Sequence, residues 1–395
     1  MLLYQTVRRG GKSLVDHLKK TTACVADLKQ RAKRRIPGFA FDYVEGGCNS
    51  EVAVRGNRAA LDAVKLRADY LTPYIAPNLS TELLGQIYSA PFGIAPLGLT
   101  GIVWPNATLF HASAAKQANI PFVLSTLSTN SIEQAAEHAE ENFWFQLYPP
   151  SDLSIRADLI RRAEAVGCKN LVVTIDVPAA GQRPRDIKNG LAIPPRISHK
   201  SVMQSALCPA WSIATLKAGL PQFASIAPYM KDVSNMQDVA NYIRTTLKDV
   251  VDQTMLKTIR DDWKGNLIVK GVNNVGDALL AVEAGADGLV VSNHGGRQLD
   301  AAQSSIETVR QIKAAVPEHI VVMVDSGVES GVDIARFLAQ GAAAVFVGRA
   351  FLYGVGAHGE QGARHTIDIL RDELTQVMAQ LHCELPSQII NNRID

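Results

Sequence analysis

The chain has 395 residues, of which 47% are hydrophobic and 20% charged, an ordinary composition for a globular protein with a large core. Forty Lys and Arg side chains against 38 Asp and Glu give a formal net charge of +2, so the chain lacks the charge excess of a protein that binds nucleic-acid phosphates. Five cysteines without CxxC spacing argue against a zinc site and favour free thiols in a reducing compartment.

The first 90 residues precede the first predicted strand, and we expect them to form a helical extension that packs on the rest of the protein. Residues 1–35 hold ten Lys or Arg, among them Arg8 and Arg9, against Asp16 and Asp27. We interpret this segment as a solvated basic arm and helix, with an anionic membrane surface or a targeting role as alternatives. It lacks a signal-peptide pattern. No uncharged apolar run in the chain reaches the roughly 18 residues of a transmembrane helix.

Eight short, apolar, β-prone runs follow, and helix-like stretches such as Ser151–Gly167 and Val275–Gly285 separate most of them. Near-continuous hydrophobic runs are typical of strands buried on both faces, as in a parallel sheet. The pattern predicts a (β/α)8 TIM barrel over residues 91–385, ahead of a doubly wound open sheet. The runs are Phe92–Ala95, Phe122–Leu124, Phe143–Leu147, Leu171–Ile175, Leu267–Val269, Gly288–Val291, Ile320–Val324 and Ala344–Val347.

Two segments fall outside this alternation. Residues 196–262, rich in Ala, Ser, Pro and Met, are predicted to be an insertion between the fourth and fifth strands. A mobile lid or membrane-contact segment and a plain surface insertion both remain open for it. Residues 386–395 are expected to form a C-terminal tail.

Polar side chains cluster just after the predicted strands. In a barrel the carboxyl ends of all strands open on one face, where active sites form, so residues far apart in sequence are expected to converge there. These residues are Ser125, Gln146, Tyr148, Asp176, Lys270, Asn293, His294, Asp325 and Arg349.

The segment SNHGGRQLD, residues 292–300, follows the sixth strand. His294 lies beside two glycines, and an imidazole exchanges a proton near neutral pH, which suits a catalytic base. Arg297 is suited to a bidentate contact with a carboxylate. A structural histidine is the alternative, but the position at the end of a strand, with Arg297 beside it, favours catalysis.

The loops after the seventh and eighth strands commonly hold a phosphate in barrels. Here they contain Asp325, Ser326 and Gly327, and then Gly348 and Arg349. The glycines let backbone N–H groups approach phosphate oxygens, and Arg349 adds positive charge; simple tight turns are the alternative. No GxGxxG motif follows a strand and no Walker lysine loop occurs, so a Rossmann dinucleotide site is not supported.

Four further side chains are candidates for the site, and three of them have two interpretations each. Asp176 ends the fourth strand and is suited to orienting a catalytic histidine. Arg183 is either a substrate clamp or a solvated loop charge. Tyr43 and Tyr148 are either substrate contacts or aromatic residues of the core and rim.

Together these motifs resemble those of the FMN-dependent 2-hydroxy-acid dehydrogenases and oxidases. The resemblance extends from about Ala26 to about residue 385. It rests on FVLST at 122–126, WFQLY at 144–148, SNHGGRQLD at 292–300, DSG at 325–327 and GR at 348–349. It implies an FMN-binding TIM barrel that oxidises an L-2-hydroxy acid, lactate-like or mandelate-like, to the 2-oxo acid.

The resemblance also implies a role for each matched residue. His294 matches the base that takes a proton from the substrate hydroxyl or from its α-carbon, a choice that stays open, and Asp176 and Tyr148 complete the catalytic set. The matched substrate contacts are Tyr43, Tyr148, Arg183 and Arg297. The matched flavin contacts are Pro96, Leu97, Gly98, Ser125, Gln146, Thr174, Lys270 and Ser292, and the ribityl and phosphate contacts are Asp325, Ser326, Gly327, Gly348 and Arg349.

Gly98 resembles the mandelate and membrane lactate dehydrogenases, whereas alanine there is more typical of oxidases. The resemblance therefore implies that electrons pass to a quinone or another acceptor, with an oxidase that produces hydrogen peroxide as the alternative. The insertion is similar to the segment that associates with membrane in those relatives, which implies a cytoplasmic protein with peripheral contact to the inner face of a membrane. A homo-oligomer, a tetramer by resemblance, is expected.

Two other functions remain open at this point. A non-redox isomerase on an FMN barrel would need a diphosphate pocket and no histidine–arginine pair after the sixth strand. A flavin-binding protein without turnover is disfavoured because every matched catalytic position is present. The side chain of the substrate is left open among lactate, mandelate and longer aliphatic acids.

Overall fold

The computed structural model describes residues 18–394 apart from 69, 72, 74–75, 192–197, 231–241, 243–244 and 247–249. Residues 1–17 of the predicted basic arm and helix, and part of the predicted insertion, lie outside these residues. Ten strands are described: β1 (Thr81–Leu83), β2 (Gln86–Tyr88), β3 (Phe92–Ile94), β4 (Phe122–Ser125), β5 (Phe143–Leu147), β6 (Asn170–Thr174), β7 (Asn266–Val272), β8 (Gly288–Val291), β9 (Val321–Val324) and β10 (Ala344–Val347).

The described α-helices number fifteen. They are α1 (Val25–Arg35), α2 (Gly38–Glu45), α3 (Val52–Ala63), α4 (Ala107–Ala118), α5 (Ile132–Ala139), α6 (Leu153–Ala165), α7 (Pro184–Lys188), α8 (His199–Ala206), α9 (Pro209–Ala218), α10 (Gln253–Asp262), α11 (Val275–Glu283), α12 (Ser305–Ala315), α13 (Gly331–Ala339), α14 (Arg349–His358) and α15 (Glu360–Gln380). Short 3-10 helices occupy Thr100–Ile102, Glu140–Asn142, Ala227–Tyr229, His294–Gly296 and Pro386–Asn392.

Strands β3–β10 form a closed parallel barrel in which β10 pairs with β3. The predicted TIM barrel is therefore confirmed, and the open-sheet alternative is excluded. Successive side chains of a strand point to opposite faces, so alternate residues fill the barrel interior while the others pack under the helices. Trp144 and Phe346 pack edge to face in the interior, with ring centroids 5.5 Å apart.

The N-terminal extension is not entirely helical, so the prediction for residues 1–90 is wrong in part. After α1, α2 and α3, strands β1 and β2 pair antiparallel as a hairpin. Tyr88 of the hairpin is fully buried and its hydroxyl accepts a 2.9 Å hydrogen bond from Trp144 Nε1. The hairpin thus packs Leu83 and Tyr88 against the interior of the barrel, and these contacts stabilise its extended conformation.

Helix boundaries follow the capping signals. Asp152 accepts hydrogen bonds from the backbone N–H groups of Ser154 and Ile155, as an N-cap does at the start of α6. Helix α11 ends just before Gly285, whose φ of +90° is a conformation that glycine adopts at little cost.

The predicted insertion, 196–262, extends too far. Its last ten residues form α10, which packs beside α11 as the barrel helix before β7 and buries Leu256 and Ile259. The insertion proper therefore ends before Asp252, which caps α10. The predicted C-terminal tail also packs on the protein: Ile389 is fully buried, and Arg393 forms a β-bridge with Leu66.

Candidate active site

His294 lies on a tight turn at the carboxyl end of β8. His294, Gly295 and Gly296 have φ angles of +57°, +64° and +73°, three successive left-handed residues that only a glycine-rich turn can supply. A side chain on Gly296 is also excluded by space, because its Cβ would lie 2.6 Å from the backbone nitrogen of Val54 in α3. The turn therefore holds the imidazole at the barrel mouth in a conformation that the surroundings must maintain.

Asp176, two residues after β6, is the partner of His294. Its Oδ1 lies 3.0 Å from His294 Nδ1, and its Oδ2 is buried without a hydrogen-bond partner among the described residues. Burial disfavours the charged carboxylate, but the charges of His294 and Lys270 and the hydrogen bond outweigh burial and lower the pKa of Asp176. An ionised Asp176 accepts the Nδ1 proton, which leaves Nε2 of the imidazole free to take a proton.

The two predicted substrate arginines lie near each other. Arg297 Nη1 donates to the carbonyl oxygens of Tyr43 and Gly46, each at 2.8 Å, so α2 of the N-terminal extension orients the guanidinium. Burial, reinforced by the nearby charge of Arg183, lowers the pKa of Arg297 to about 10. The neighbouring positive charges of Arg183 and Arg297 favour the binding of an anion between them.

Tyr43 and Tyr148 border the same space. The Tyr43 hydroxyl donates to the carbonyl of Gly98 at 3.0 Å, and its ring lies under the Arg297 guanidinium at 5.1 Å. Burial, reinforced by Asp176, raises the pKa of Tyr148 to about 12. The Tyr148 phenol therefore stays protonated near neutral pH and keeps a hydrogen to donate.

The predicted flavin contacts form a buried polar ring at the strand ends. Lys270 Nζ lies 3.0 Å from Asp325 Oδ2 and 3.1 Å from Ser292 Oγ. Burial opposes the charge of Lys270, but Asp325 and Asp176 outweigh burial and raise the pKa of Lys270 to about 12. A buried cation beside hydroxyl and amide groups suits a heterocycle that gains negative charge when it is reduced. The ring's side chains are at most 5% exposed: Ser125, Gln146, Thr174, Lys270 and Ser292.

The loops after β9 and β10 match the chemistry of a phosphate site. Ser326 and Gly327 have φ angles of +88° and +81°. No carbonyl in the described part of the chain accepts a hydrogen bond from the backbone N–H groups of Gly327, Gly348 or Arg349. Arg349 is braced by the N-terminal extension, since its Nε donates to the carbonyl of Val44 at 3.0 Å. Backbone donors beside a fixed cation suit a phosphate.

Three residues of this region were missed in the sequence. Gln298 Nε2 donates to the carbonyl of Asp176 at 3.1 Å, and Asp186 lies 3.4 Å from Arg183. Asn57 of α3 pairs with Asn293 across a sequence separation of 236 residues. Gln298 lies within the predicted segment 292–300, and Asp186 lies three residues after the predicted Arg183, whereas nothing in the sequence around Asn57 indicates its partner.

Comparison with known proteins identifies similar sequences and structures. A family model described as FMN-dependent dehydrogenase matches residues 32–395. An L-lactate dehydrogenase of Caulobacter vibrioides is 38% identical over 354 residues, which cover 89% of this chain and 92% of that protein. The crystal structure of the monotopic membrane protein (S)-mandelate dehydrogenase has a TM-score of 0.89 at 35% identity, covering 94% of this chain and 98% of that one. A solved mandelate oxidase has a TM-score of 0.80 at 32% identity, covering 94% and 97%.

The family match spans nearly the whole chain, and the barrel and the polar ring at its mouth agree with it. The family resemblance inferred from the motifs is thereby confirmed, and so is FMN as the cofactor. The chain belongs to the FMN-dependent dehydrogenase family.

Proposed function

We propose that this protein oxidises a small L-2-hydroxy acid to the 2-oxo acid, with His294 as the catalytic base. The observation that carries the proposal is the 3.0 Å pair of His294 and Asp176, on the same barrel face as Arg183 and Arg297. A base and an anion site side by side are what a hydroxy carboxylate requires. Relatives that act on L-lactate and (S)-mandelate support the same substrate class.

In this proposal the substrate carboxylate binds between Arg297 and Arg183. It relieves the repulsion between the two guanidinium groups and fixes the α-carbon, an orientation effect worth several kcal/mol when the geometry is tight. Tyr148 donates its phenolic hydrogen to the substrate. His294 Nε2 accepts the hydroxyl proton, and Asp176 stabilises the resulting imidazolium.

The residues at the barrel mouth fit FMN. Buried donors and Lys270 would hold the ring system, and Gly327, Gly348 and Arg349 would hold the phosphate. FMN, when bound, would supply the acceptor for the α-hydrogen of the substrate together with its electron pair, that is, for a hydride. The side chains of this protein bind the acid, orient it and take its proton.

Flavin reduction in an anaerobic stopped-flow instrument tests the proposal. We expect lactate, mandelate or a longer 2-hydroxy acid to bleach the wild-type flavin. His294→Gln should retain FMN and reduce it about 10²–10⁴-fold more slowly. His138→Gln, a change at an exposed histidine bonded to Ser113, is the matched control and should behave as wild type. A near-normal rate of flavin reduction in His294→Gln would contradict the assignment of His294 as the base. If none of the acids bleaches the flavin, a non-redox flavoprotein is favoured.

We further propose that a quinone or another acceptor, rather than oxygen, reoxidises the flavin. Gly98 supports this, because the resemblance associates glycine there with dehydrogenases. A Cβ on Gly98 would meet Leu127 at 3.5 Å, an ordinary contact, so Gly98→Ala should fold normally. Reoxidation rates with oxygen and with a soluble quinone test the acceptor. Fast reoxidation of the wild type by oxygen would contradict it.

Peripheral membrane contact through α8 and α9 is part of the proposal. None of the helices in the described part of the chain has the length and apolarity needed to cross a membrane. The surface of α8 and α9 nevertheless exposes several large apolar side chains, including Leu207 at 73% and Leu216 at 83%. Such a surface suits the interfacial region of a bilayer. The monotopic (S)-mandelate dehydrogenase supports this contact.

Co-sedimentation with vesicles that contain anionic lipid tests the membrane contact. Leu207→Asp combined with Leu216→Asp should abolish binding, whereas Ile87→Asp, at a position that is 66% exposed on the β1–β2 hairpin, should retain it. Equal binding by both variants would contradict the assignment of this surface.

The expected homo-tetramer also stays a prediction, which light scattering on the purified holoenzyme would check.

A further inference from the structure

A reciprocal amide pair joins the N-terminal extension to the residue before His294. Asn57 Nδ2 donates to Asn293 Oδ1 at 2.9 Å, and Asn293 Nδ2 donates to Asn57 Oδ1 at 2.7 Å. The two side chains are 1% and 4% exposed. A buried amide that loses its partner is left with unsatisfied polar atoms, so this pair strongly favours one arrangement of both residues.

Asn293 fixes the turn that carries His294. Its Oδ1 also accepts from the backbone N–H of Gly296 at 3.2 Å, and its Nδ2 also donates to the carbonyl of Gln303 at 3.1 Å. The amide of Asn293 is therefore the centre of the left-handed turn from His294 to Gly296. Such a turn is costly for the histidine and persists only where the surroundings hold it.

Helix α3 also contacts the loop that suits the phosphate. The Cβ of Asn57 lies 3.0 Å from the position that a Cβ would take on Gly327. The next residue, Arg58, donates from Nη1 to the carbonyl of Gly327 at 3.2 Å. Asn57 thus lies between the His294 turn and the loop after β9. A change in its side chain therefore alters the packing of both segments.

We propose that Asn57 is a positioning residue for the reaction, which acts through Asn293 to hold His294 in line with Asp176 and the substrate. The inference rests on the proposed function, in which His294 is the base. Asn57 contacts neither substrate nor flavin in this account. Its removal should leave binding of the acid intact and slow the proton transfer.

The test compares Asn57→Ala with the wild-type holoenzyme in anaerobic stopped flow. We expect the flavin reduction rate to fall at least about 10-fold, towards the roughly 100-fold that a 1 Å misplacement costs. The Kd of the 2-oxo acid product, measured by flavin absorbance, should change less than about 3-fold, because Arg183, Arg297 and Tyr43 are untouched. A merely structural role would not separate these two quantities.

Asn170→Ala is the matched control. Asn170 is 3% exposed, and its Oδ1 accepts a 2.8 Å hydrogen bond from the half-buried Asn266, in an amide pair at the opposite ends of the barrel strands. It should lose stability and keep its reduction rate. Asn57→Asp, which keeps the volume of the side chain and its acceptor for Asn293 Nδ2, is the second variant should Asn57→Ala fail to fold, and it should also reduce slowly.

A double-mutant cycle tests whether Asn57 acts on His294 through Asn293. In an Asn293→Ala background, Asn57→Ala should slow reduction by less than about 3-fold more, because the link is already broken. Fully additive effects, a normal rate in folded Asn57→Ala, or loss of FMN in parallel with the rate would each overturn the inference. If His294→Gln is inactive while Asn57→Ala is normal, only the role of Asn57 fails. If His294→Gln reduces normally, the proposed function fails instead.

Discussion

The chemistry of each side chain at the barrel mouth depends on a partner far away in the sequence. His294 alone is an ordinary imidazole, but Asp176, 118 residues earlier, fixes its orientation. Lys270 of β7 lies between Ser292, which follows the neighbouring strand β8, and Asp325, which follows β9 one strand further on. Residues that follow the strands of a barrel can therefore be predicted to share one face. Which of them form hydrogen bonds or ion pairs with each other cannot be predicted in this way.

Replacing Asp176 by Asn tests the importance of its charge. The amide has the same size, but it neither stabilises an imidazolium nor fixes the Nδ1 proton as an acceptor-only carboxylate does. We expect flavin reduction by the 2-hydroxy acid to slow by about 10²–10⁴-fold, as for the comparable change in a Ser-His-Asp triad. Product binding should stay near the wild-type value, because Arg183 and Arg297 remain. A loss of product binding in proportion to the rate would assign Asp176 to substrate binding instead.

Tyr148 gives a prediction about alkaline pH. Burial and then Asp176 raise the pKa of its phenol to about 12, so Tyr148 stays neutral and able to donate up to about pH 11. Tyr148→Phe should lower the reduction rate about 10-fold. Any decline of the wild-type rate between pH 8 and pH 11 should persist in the variant, because Tyr148 does not titrate there. A decline that disappears in Tyr148→Phe would contradict the raised pKa.

The residues that sequence reasoning missed share one physical feature. Asn57, Gln298 and Asp186 bind other protein groups rather than forming a motif of their own. A pattern of glycines and charges identifies a turn and its reactive side chain. The amides and carboxylates that hold such a turn are chosen by tertiary contacts, which local sequence does not encode.

At the scale of elements, periodicity predicted the barrel strands well and the remaining segments less well. The apolar runs of β4, β5 and β8 are short and buried on both faces, which makes them unambiguous. Helix α10 was assigned to the insertion because the boundary between the two carries no glycine or proline. The β1–β2 hairpin was missed because its three-residue strands are too short to show alternation.

Arg162 of α6 is one of the side chains that join the insertion to the barrel. Arg162 Nη1 donates to the carbonyl of Ser225 at 2.8 Å and to the Tyr229 hydroxyl at 3.2 Å, while its Nε donates to Glu133 at 2.8 Å. Hydrogen bonds to a charged group are worth about 1.5–3 kcal/mol when they are lost. Arg162→Ala should therefore open this part of the insertion and raise its rate of limited proteolysis by about 10-fold or more.

Lys116→Ala is the control for that experiment. Lys116 lies on α4, outside the insertion, and the change removes its exposed ion pair with Glu140. It should be cleaved at the wild-type rate. Mass spectrometry of the first fragments locates the cut. If Arg162→Ala is no more sensitive than the control, the arginine does not fasten the insertion.

At the scale of the whole molecule, the N-terminal extension is joined to the barrel at several points of the candidate site. Arg297 bonds to the carbonyls of Tyr43 and Gly46, and Arg349 bonds to that of Val44. The sequence predicts that an extension precedes the barrel. It does not predict these contacts, because each connects residues more than 200 positions apart. We expect the extension and the barrel to unfold together.

Asp333 is the most buried charge in this junction and gives the last prediction. It is 1% exposed and accepts from Arg58 Nη1 at 2.7 Å and Nη2 at 2.6 Å, so that α3 is bound to α13. Burial disfavours its charge, but the hydrogen bonds from Arg58 and from the backbone N–H of Glu329 outweigh burial and lower the pKa of Asp333. A carboxyl with a lowered pKa stabilises the fold above its unfolded pKa, and that contribution disappears as the pH falls through the folded pKa.

Asp333→Asn should therefore lower the free energy of unfolding at pH 7. The loss should be below the roughly 3–5 kcal/mol typical of a broken buried pair, because Arg58 remains partly exposed and screened. Urea denaturation of the holoenzyme between pH 7 and pH 3 should show a single transition whose difference from wild type shrinks below about pH 4. Asp62→Asn, which removes an exposed partner of the same Arg58, should cost far less. A difference that is constant with pH would contradict the charge argument, and two separate transitions would show that the extension and the barrel unfold independently.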